Sequence, residues 1–197
     1  MVLSEKWGLE MMEEAGADKA WLQSCMVPHW VRGGEDEAWV AGGNNKGKKL
    51  DVVALGNSFG TGANGVEADV IEVSSFEELE EKKDRVKGKI VFYNYHFNPT
   101  YIRTFQSYGD AVRYRGGGPS RAAAYGAVAV IVRSMSHGTN NHPHTGSTRY
   151  TDSLPKIPAV AIGLHDADWL SAKLKSTKVK VHLKTQGHFL PDTIGHN

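Results

Sequence analysis

The run Val128-Ala129-Val130-Ile131-Val132 contains no polar side chain. A strand with one wet face alternates apolar and polar residues, so an unbroken apolar run must be covered on both faces. Further strands are read at 50–55, 70–73, 89–93 and 157–162, the first and last of these as buried as the 128–132 run. Near the C-terminus the pattern changes. Val179, Val181 and Leu183 alternate with Lys178, Lys180, His182 and Lys184, the period-two mark of a strand with one solvated face. Short helices separate these strands. Ser75-Phe76-Glu77-Glu78 fits a capping box in which Glu78 reaches back to the Ser75 amide, opening a helix to about Arg85. Pro119 suits a first helical position and Gly126 a helix end, and Asp166 is placed to cap a helix carrying Trp169, Leu170 and Leu174. Strands alternating with short helices imply an α/β domain built on an open, mainly parallel or mixed sheet or sandwich.

The first thirty residues read differently. Ser4 can cap a helix with Trp7, Met11, Met12 and Ala15 on one face and Gly16 as its stop, an apolar stripe that needs a partner. An extended run follows at 20–31, where Pro28 argues for an edge or crossing segment. Residues 44–49 read as a turn, 97–118 as a long irregular segment and 136–152 as a polar loop.

Charge excludes little and suggests less. Lys and Arg total 23 against 22 Asp and Glu, a net charge of +1, so no electrostatic footprint for nucleic acid or an anionic membrane is expected. Acidic Glu5, Glu10, Glu13 and Glu14 stand where a signal peptide needs a basic start, and no run approaches the ~20 apolar residues of a membrane span. Cys25 is the only cysteine; it allows no internal disulfide or cysteine zinc site, and beside Met26 and Val27 it reads as a packed small hydrophobe.

Several constellations are incomplete. The loop 56–65 is glycine-rich and follows a strand, yet it lacks the Gly-Lys-Ser/Thr of a phosphate cradle, and the strand-like 66–71 supplies no helix N-terminus. Gly56-Asn57-Ser58-Phe59-Gly60 matches a hydrolase elbow in letters but is not followed by a helix. His142-Pro143-His144, with Asp152, could offer ligands to one cation, although no His-Glu-x-x-His or His-x-Asp accompanies them. Tyr101, Arg103, Phe105, Tyr108, Arg113, Tyr114 and Arg115 interleave aromatic and cationic side chains, types favoured where one protein packs on another.

Lys87-Gly88-Lys89-Ile90-Val91, followed by the stretch from Pro119 to Ser134, resembles a protease-associated (PA) domain: strand, alanine-rich helix, glycine, buried strand. More narrowly, the chain resembles the PA insert of zinc peptidases of the carboxypeptidase Q family. Val27-Pro28-His29-Trp30-Val31-Arg32-Gly33, Leu55-Gly56-Asn57-Ser58-Phe59-Gly60-Thr61, Pro143-His144-Thr145-Gly146, Pro155-Lys156-Ile157-Pro158-Ala159 and Pro191-Asp192-Thr193 carry that likeness in order. The resemblance implies a PA-like open mixed sheet or sandwich flanked by short helices, with residues 1–33 belonging to the peptidase domain, 34–190 forming the PA domain, and 191–197 returning to the catalytic domain. It implies that the metal ligands and general base follow the insert, so this chain would be non-catalytic and hold no cofactor, while the parent enzyme would use two zinc ions.

The same resemblance implies a secreted or periplasmic exopeptidase. Its expected partners are the missing catalytic domain, a peptide substrate and a possible second copy of itself, with neither nucleic acid nor membrane. It places Ser58, Thr61, His144 and Thr145 at the substrate cleft or the domain interface, with Tyr101 and Arg103 as outlying candidates. The competing reading is a stand-alone module that binds a protein or peptide through the Tyr/Arg-rich loop; a third would need the histidine loop to hold a metal.

Overall fold

The computed structural model describes residues 2–42 and 45–197. In chain order the elements are α1 (Val2–Glu14), β1 (Ser24–Val31), β2 (Glu37–Gly42), β3 (Asn45–Leu50), β4 (Val52–Ala54), β5 (Val66–Val73), α2 (Phe76–Glu81), a 3-10 turn at Lys83–Arg85 and β6 (Ile90–Tyr93). After them come α3 (Thr104–Gly116), α4 (Gly118–Ala124), β7 (Ala129–Arg133), β8 (Ala159–Ile162), α5 (Leu164–Ser176), β9 (Lys180–Lys184) and β10 (His188–His196). They form two compact units. One joins the N-terminal stretch through Val31 to Phe189–Asn197; the other is Arg32–His188.

The larger unit is α/β, with eight strands in the order β3-β2-β9-β5-β6-β7-β8-β4. Strands β5, β6, β7 and β8 run parallel, while β3, β2 and β9 on one side and β4 on the other are antiparallel to their neighbours, so the sheet is mixed. The apolar runs behave as their composition requires, sending alternate residues to opposite faces. Ile90, Phe92, Ile131, Val160 and Ile162 pack with Ala167 and Leu170 of α5 on one face. Val91, Tyr93, Val130, Val132 and Ala161 pack with Leu79, Tyr114 and Ala122 of the other helices on the opposite face. Each large aliphatic side chain buried this way stabilises the fold by about 1.5–3 kcal/mol relative to exposure.

Strands β3 and β4 sit at opposite edges of the sheet, yet a single residue, Asp51, separates them. The two edges therefore meet and the sheet rolls up, with Leu50 and Val52 entering one shared core. The seam is held by Asp36, whose Oδ2 accepts from the Ala54 amide at 2.8 Å and from Arg32 Nη1 at 2.9 Å. Asp51 also splits the expected 50–55 strand in two.

Local rules of the sequence are mostly kept, with instructive departures. Gly126 ends α4 at φ 80, and the Ala127 amide donates to the Ala122 carbonyl, the left-handed cap that only glycine adopts without strain. Ser75 caps α2 by accepting from the Glu78 amide at 3.1 Å. Glu78 reaches back one residue further than a capping box predicts, taking the Ser74 amide and hydroxyl at 2.6 Å each, and also pairs with Lys82. Burial alone would raise its pKa; these bonds outweigh it and hold the carboxyl at about 2.

Four expectations are corrected. Residues 45–49, read as part of a turn, form β3 together with Leu50; Asn44 lies outside the described residues. Ser4 lies inside α1, which already runs from Val2. The segment 97–118 is not one loop: it contains the thirteen-residue α3, whose buried face of Ser107, Ala111 and Tyr114 is too small and polar to register as an apolar stripe. Asp166 is not the cap of α5, where Gly163 stands; it occupies the first turn.

The smaller unit contains α1 and a two-stranded ribbon of β1 and β10, along which Gln23 and Asn197 exchange both backbone hydrogen bonds. His196 Nδ1 lies 3.0 Å from Glu5 Oε2, and that hydrogen bond is the main reason the Glu5 carboxyl titrates below its ordinary range. Cys25 is exposed on this ribbon and not packed, because the ribbon has no second layer over its outer residues.

Candidate functional site

The chain leaves β4 at the edge of the larger unit, and its next residues meet the 136–152 loop through the main chain. The Gly56 amide donates to the Gly146 carbonyl at 2.9 Å, and the Thr148 amide donates to the Gly56 carbonyl at 2.8 Å, a short parallel bridge. A Cβ on Gly56 would stand 3.4 Å from the Ser147 Cα, in ordinary van der Waals contact, so the main-chain bridge and not the lack of a side chain joins the two segments. Two segments about ninety residues apart in sequence thus form one rim, and both carry residues expected at the cleft.

Ser58 is fully buried beneath that rim. Its Oγ accepts from the Ala159 amide at 2.8 Å, which satisfies the first N–H of β8, and its hydroxyl donates to the Phe59 carbonyl at 3.1 Å. Thr61 latches the same loop to the end of β9, receiving the Thr185 amide at 3.1 Å and donating to the Thr185 carbonyl at 3.2 Å. Both hydroxyls are engaged in holding the glycine-rich loop against the sheet. Tyr150, also largely buried, donates to the Ile157 carbonyl; desolvation raises its pKa.

The facing segment is pinned at several points. The His144 amide donates to Ser134 Oγ at 2.8 Å and Thr145 Oγ1 donates to the Ala54 carbonyl at 2.9 Å. The His144 ring is half-buried and the Thr145 side chain exposed. Upstream, Asn141 makes the anchor. Its Nδ2 donates to Asp51 at 2.7 Å and Asp166 at 2.9 Å, while its Oδ1 accepts the Asp166 amide at 3.0 Å, so a loop residue caps α5 from outside. Asp166 is buried, and burial pushes its pKa up, but the Asp51 amide, Lys48 and Asn141 together hold it below the usual carboxylate range.

Two members of the rim were legible only as part of the Tyr/Arg segment. Arg115, at the end of α3, donates to the Thr145 carbonyl at 3.3 Å and to the Tyr108 hydroxyl at 2.8 Å. Its guanidinium lies against Gly146, where a Cβ would come within 2.4 Å of the Arg115 Cζ. The glycine of Pro143-His144-Thr145-Gly146 makes room for that arginine. Tyr101 and Arg103 lie elsewhere. Tyr101 donates to Asp110 at 2.9 Å, a bond that raises its pKa, and Arg103 is exposed at the start of α3; neither bonds to 56–62 or 142–146 among the described residues.

The rim offers a half-buried imidazole, a threonine, main-chain amides and a clamped guanidinium. The Ser58 and Thr61 hydroxyls are committed to the backbone and are not poised as nucleophiles. Among the described residues no three His, Cys, Asp or Glu side chains gather as metal ligands. The side chains of the described residues therefore do not offer the ligand set that a pair of zinc ions needs.

No protein-family model matches the chain. It is 38% identical to carboxypeptidase Q of Xenopus laevis and 33% identical to carboxypeptidase Q of Homo sapiens, in each case across 94% of its own length. It spans less than two fifths of those relatives, 38% and 37% respectively. Among solved structures, a peptidase M28 precursor from Shewanella amazonensis SB2B superposes with a TM-score of 0.89 at 28% identity, covering 99% of this chain and 43% of that one. An aminopeptidase from Aneurinibacillus sp. strain AM-1, at 18% identity and a TM-score of 0.62, shares the fold across 99% of this chain and 40% of its own.

Proposed function

We propose that this chain, which resembles carboxypeptidase Q along nearly its whole length, is the non-catalytic accessory part of a larger, secreted or periplasmic dizinc exopeptidase. In this reading residues 1–33 and 191–197 belong with the catalytic domain, and 34–190 form a PA domain. That domain shapes access to the cleft and packs against its neighbours. The two zinc ions and the general base reside in the portion of the parent peptidase outside this chain.

The observation that carries the proposal is the surface of the smaller unit. Trp7 and Met12 of α1 are 62% and 61% exposed, and Trp21, Met26 and Ile194 are exposed to a similar degree. A two-stranded ribbon with one helix has little surface with which to bury so many large apolar side chains, and their exposure suits contact with another body. The catalytic domain is the partner that the likeness to carboxypeptidase Q supplies. The same premise makes the Gly56–Gly146 rim the part that faces substrate, with His144 and Thr145 as contacts and Ser58 and Thr61 as the residues that hold the loop in place.

In the intact peptidase, replacing His144 by Ala should raise KM roughly five- to tenfold with kcat nearly unchanged, the loss of one polar contact made equally in ground and transition states. Unchanged kinetics would remove His144 from the cleft. The present chain, supplied with zinc and peptide, should hydrolyse nothing; stoichiometric zinc binding with turnover would overturn the accessory role. A second reading, a module that binds a protein or peptide by itself, is favoured by fully exposed Ile102 and by Phe105, 85% exposed, beside Tyr101 and Tyr108.

A further inference from the structure

On the helical side of the larger unit, α2, α3, α4 and the 147–154 segment enclose a groove of about 810 Å³. Four arginines line it: Arg113 and Arg115 from α3, Arg121 from α4 and Arg149 from the loop. None of them forms an ion pair among the described residues. Glu80 is the one carboxylate in the lining, and it is already engaged by Lys83 at 2.7 Å and by the Tyr125 hydroxyl. In a chain whose net charge is +1, this gathers four positive charges on one surface, with Glu77 and Asp110 near Arg113 as partial counter-charges.

Stacking holds the guanidiniums in place. Phe76 lies beneath two of them, with Arg121 Cζ 4.3 Å and Arg113 Cζ 5.6 Å from the ring centroid, and Arg115 Cζ stands 5.7 Å from the Tyr108 ring. A guanidinium on an aromatic face can still offer its in-plane N–H groups as the fork that matches a carboxylate; Arg113 Nη2 already donates to the Tyr114 hydroxyl at 3.0 Å, which leaves its other N–H groups for a ligand. Leu79, Val112, Ala124 and Leu154 supply apolar wall between the charges.

We propose that this groove is a binding site for an acidic peptide segment, whose carboxylates pair with Arg113, Arg121 and Arg149 while its apolar side chains lie on the wall between them. A nucleic acid fits the groove less well. The Phe76 face is occupied by arginines and not open to a base. This inference is independent of the accessory role proposed above, because it concerns a different surface and is read by binding, not turnover.

The test uses the full chain and a short fluorescein-labelled peptide alternating Glu and Leu, compared by anisotropy with the same peptide carrying Gln for Glu and with a labelled single-stranded RNA. The Glu peptide should bind at least about tenfold more tightly than its Gln counterpart and weaken with added salt, because the contacts are exposed ion pairs. Arg121→Gln with Arg149→Gln should weaken binding about tenfold, from two such pairs together. Neither side chain donates a hydrogen bond to the fold among the described residues, and the single Arg149→Gln variant gives the same reading if the double variant is unstable. Equal affinity for the Glu and Gln peptides, or variants that bind like the parent, would overturn the proposal. Tighter binding of RNA than of the Glu peptide would reassign the groove.

Discussion

Asp166→Asn is the substitution that separates most cleanly the bonds joining the sheet seam, the 136–152 loop and α5. One carboxylate oxygen accepts the Asp51 amide at 2.8 Å and Asn141 Nδ2 at 2.9 Å; the other pairs with Lys48 Nζ at 2.6 Å. An asparagine can keep its carbonyl oxygen toward Asp51 and Asn141, but its amide nitrogen then faces the Lys48 ammonium, donor against donor. Losing the charged partner costs about 1.5–3 kcal/mol, and removing a negative charge from the first turn of α5 adds about 0.3–1 kcal/mol. For a unit of this size that corresponds to a fall in Tm of roughly 5–10 °C. Urea unfolding should give a lower midpoint with an unchanged slope, and amide exchange should quicken at 141–148 before it does in the sheet.

The pH dependence has a definite sign. The Asp166 carboxyl is depressed in the folded state, so its contribution is complete above its ordinary value of 3.8 and is lost as pH falls through its lower folded value. The stability gap between parent and Asp166→Asn should therefore be constant at neutral pH and narrow below about pH 4. A variant within about 0.5 kcal/mol of the parent at pH 7 would refute the idea that this carboxylate joins the three elements.

Two further substitutions test the rim itself. Ser58→Ala leaves the buried Ala159 amide without its acceptor and should cost about 1–3 kcal/mol in urea unfolding, whereas a substrate-contact role alone would leave stability untouched. Gly146→Ala sets a Cβ 2.4 Å from the Arg115 Cζ; the flexible guanidinium should swing away, cost about 1 kcal/mol and accelerate exchange at 144–148, and unchanged exchange there would mean that Arg115 does not clamp the loop.

What the sequence made legible follows from how local each signal is. Apolar runs such as Val128-Ala129-Val130-Ile131-Val132 announce burial on both faces without knowledge of neighbours, and β7 is buried at each of its five positions. The alternation around Val181 and Leu183 likewise needs only the chain itself, and β9 follows it. The helix α3 escaped notice because its inward residues are serine, alanine and tyrosine, while its outward ones are the aromatic and cationic groups that suggested a contact loop. The pairing of Gly56 with Gly146 is carried by main-chain atoms, so no residue type betrays it, although both segments stood out separately. The Asp166 network was misread for a related reason: an acidic residue near a helix start looks like a cap, and only the fold reveals that Asn141, twenty-five residues earlier, performs that task.

These contacts also bear on the accessory role proposed above. General acid–base and nucleophilic chemistry require a reactive group within hydrogen-bond reach of a base that is free to take its proton. At the rim three hydroxyls are already committed: Ser58 to Ala159 and Phe59, Thr61 to Thr185, Thr145 to the Ala54 carbonyl. Such bonds fix the position of two loops to within the tolerance of the sheet beneath them. The groups left over, the His144 ring and the in-plane edges of stacked arginines, suit binding better than turnover. A surface that holds its loops by the main chain and leaves cationic and aromatic groups exposed suits the accessory role proposed above.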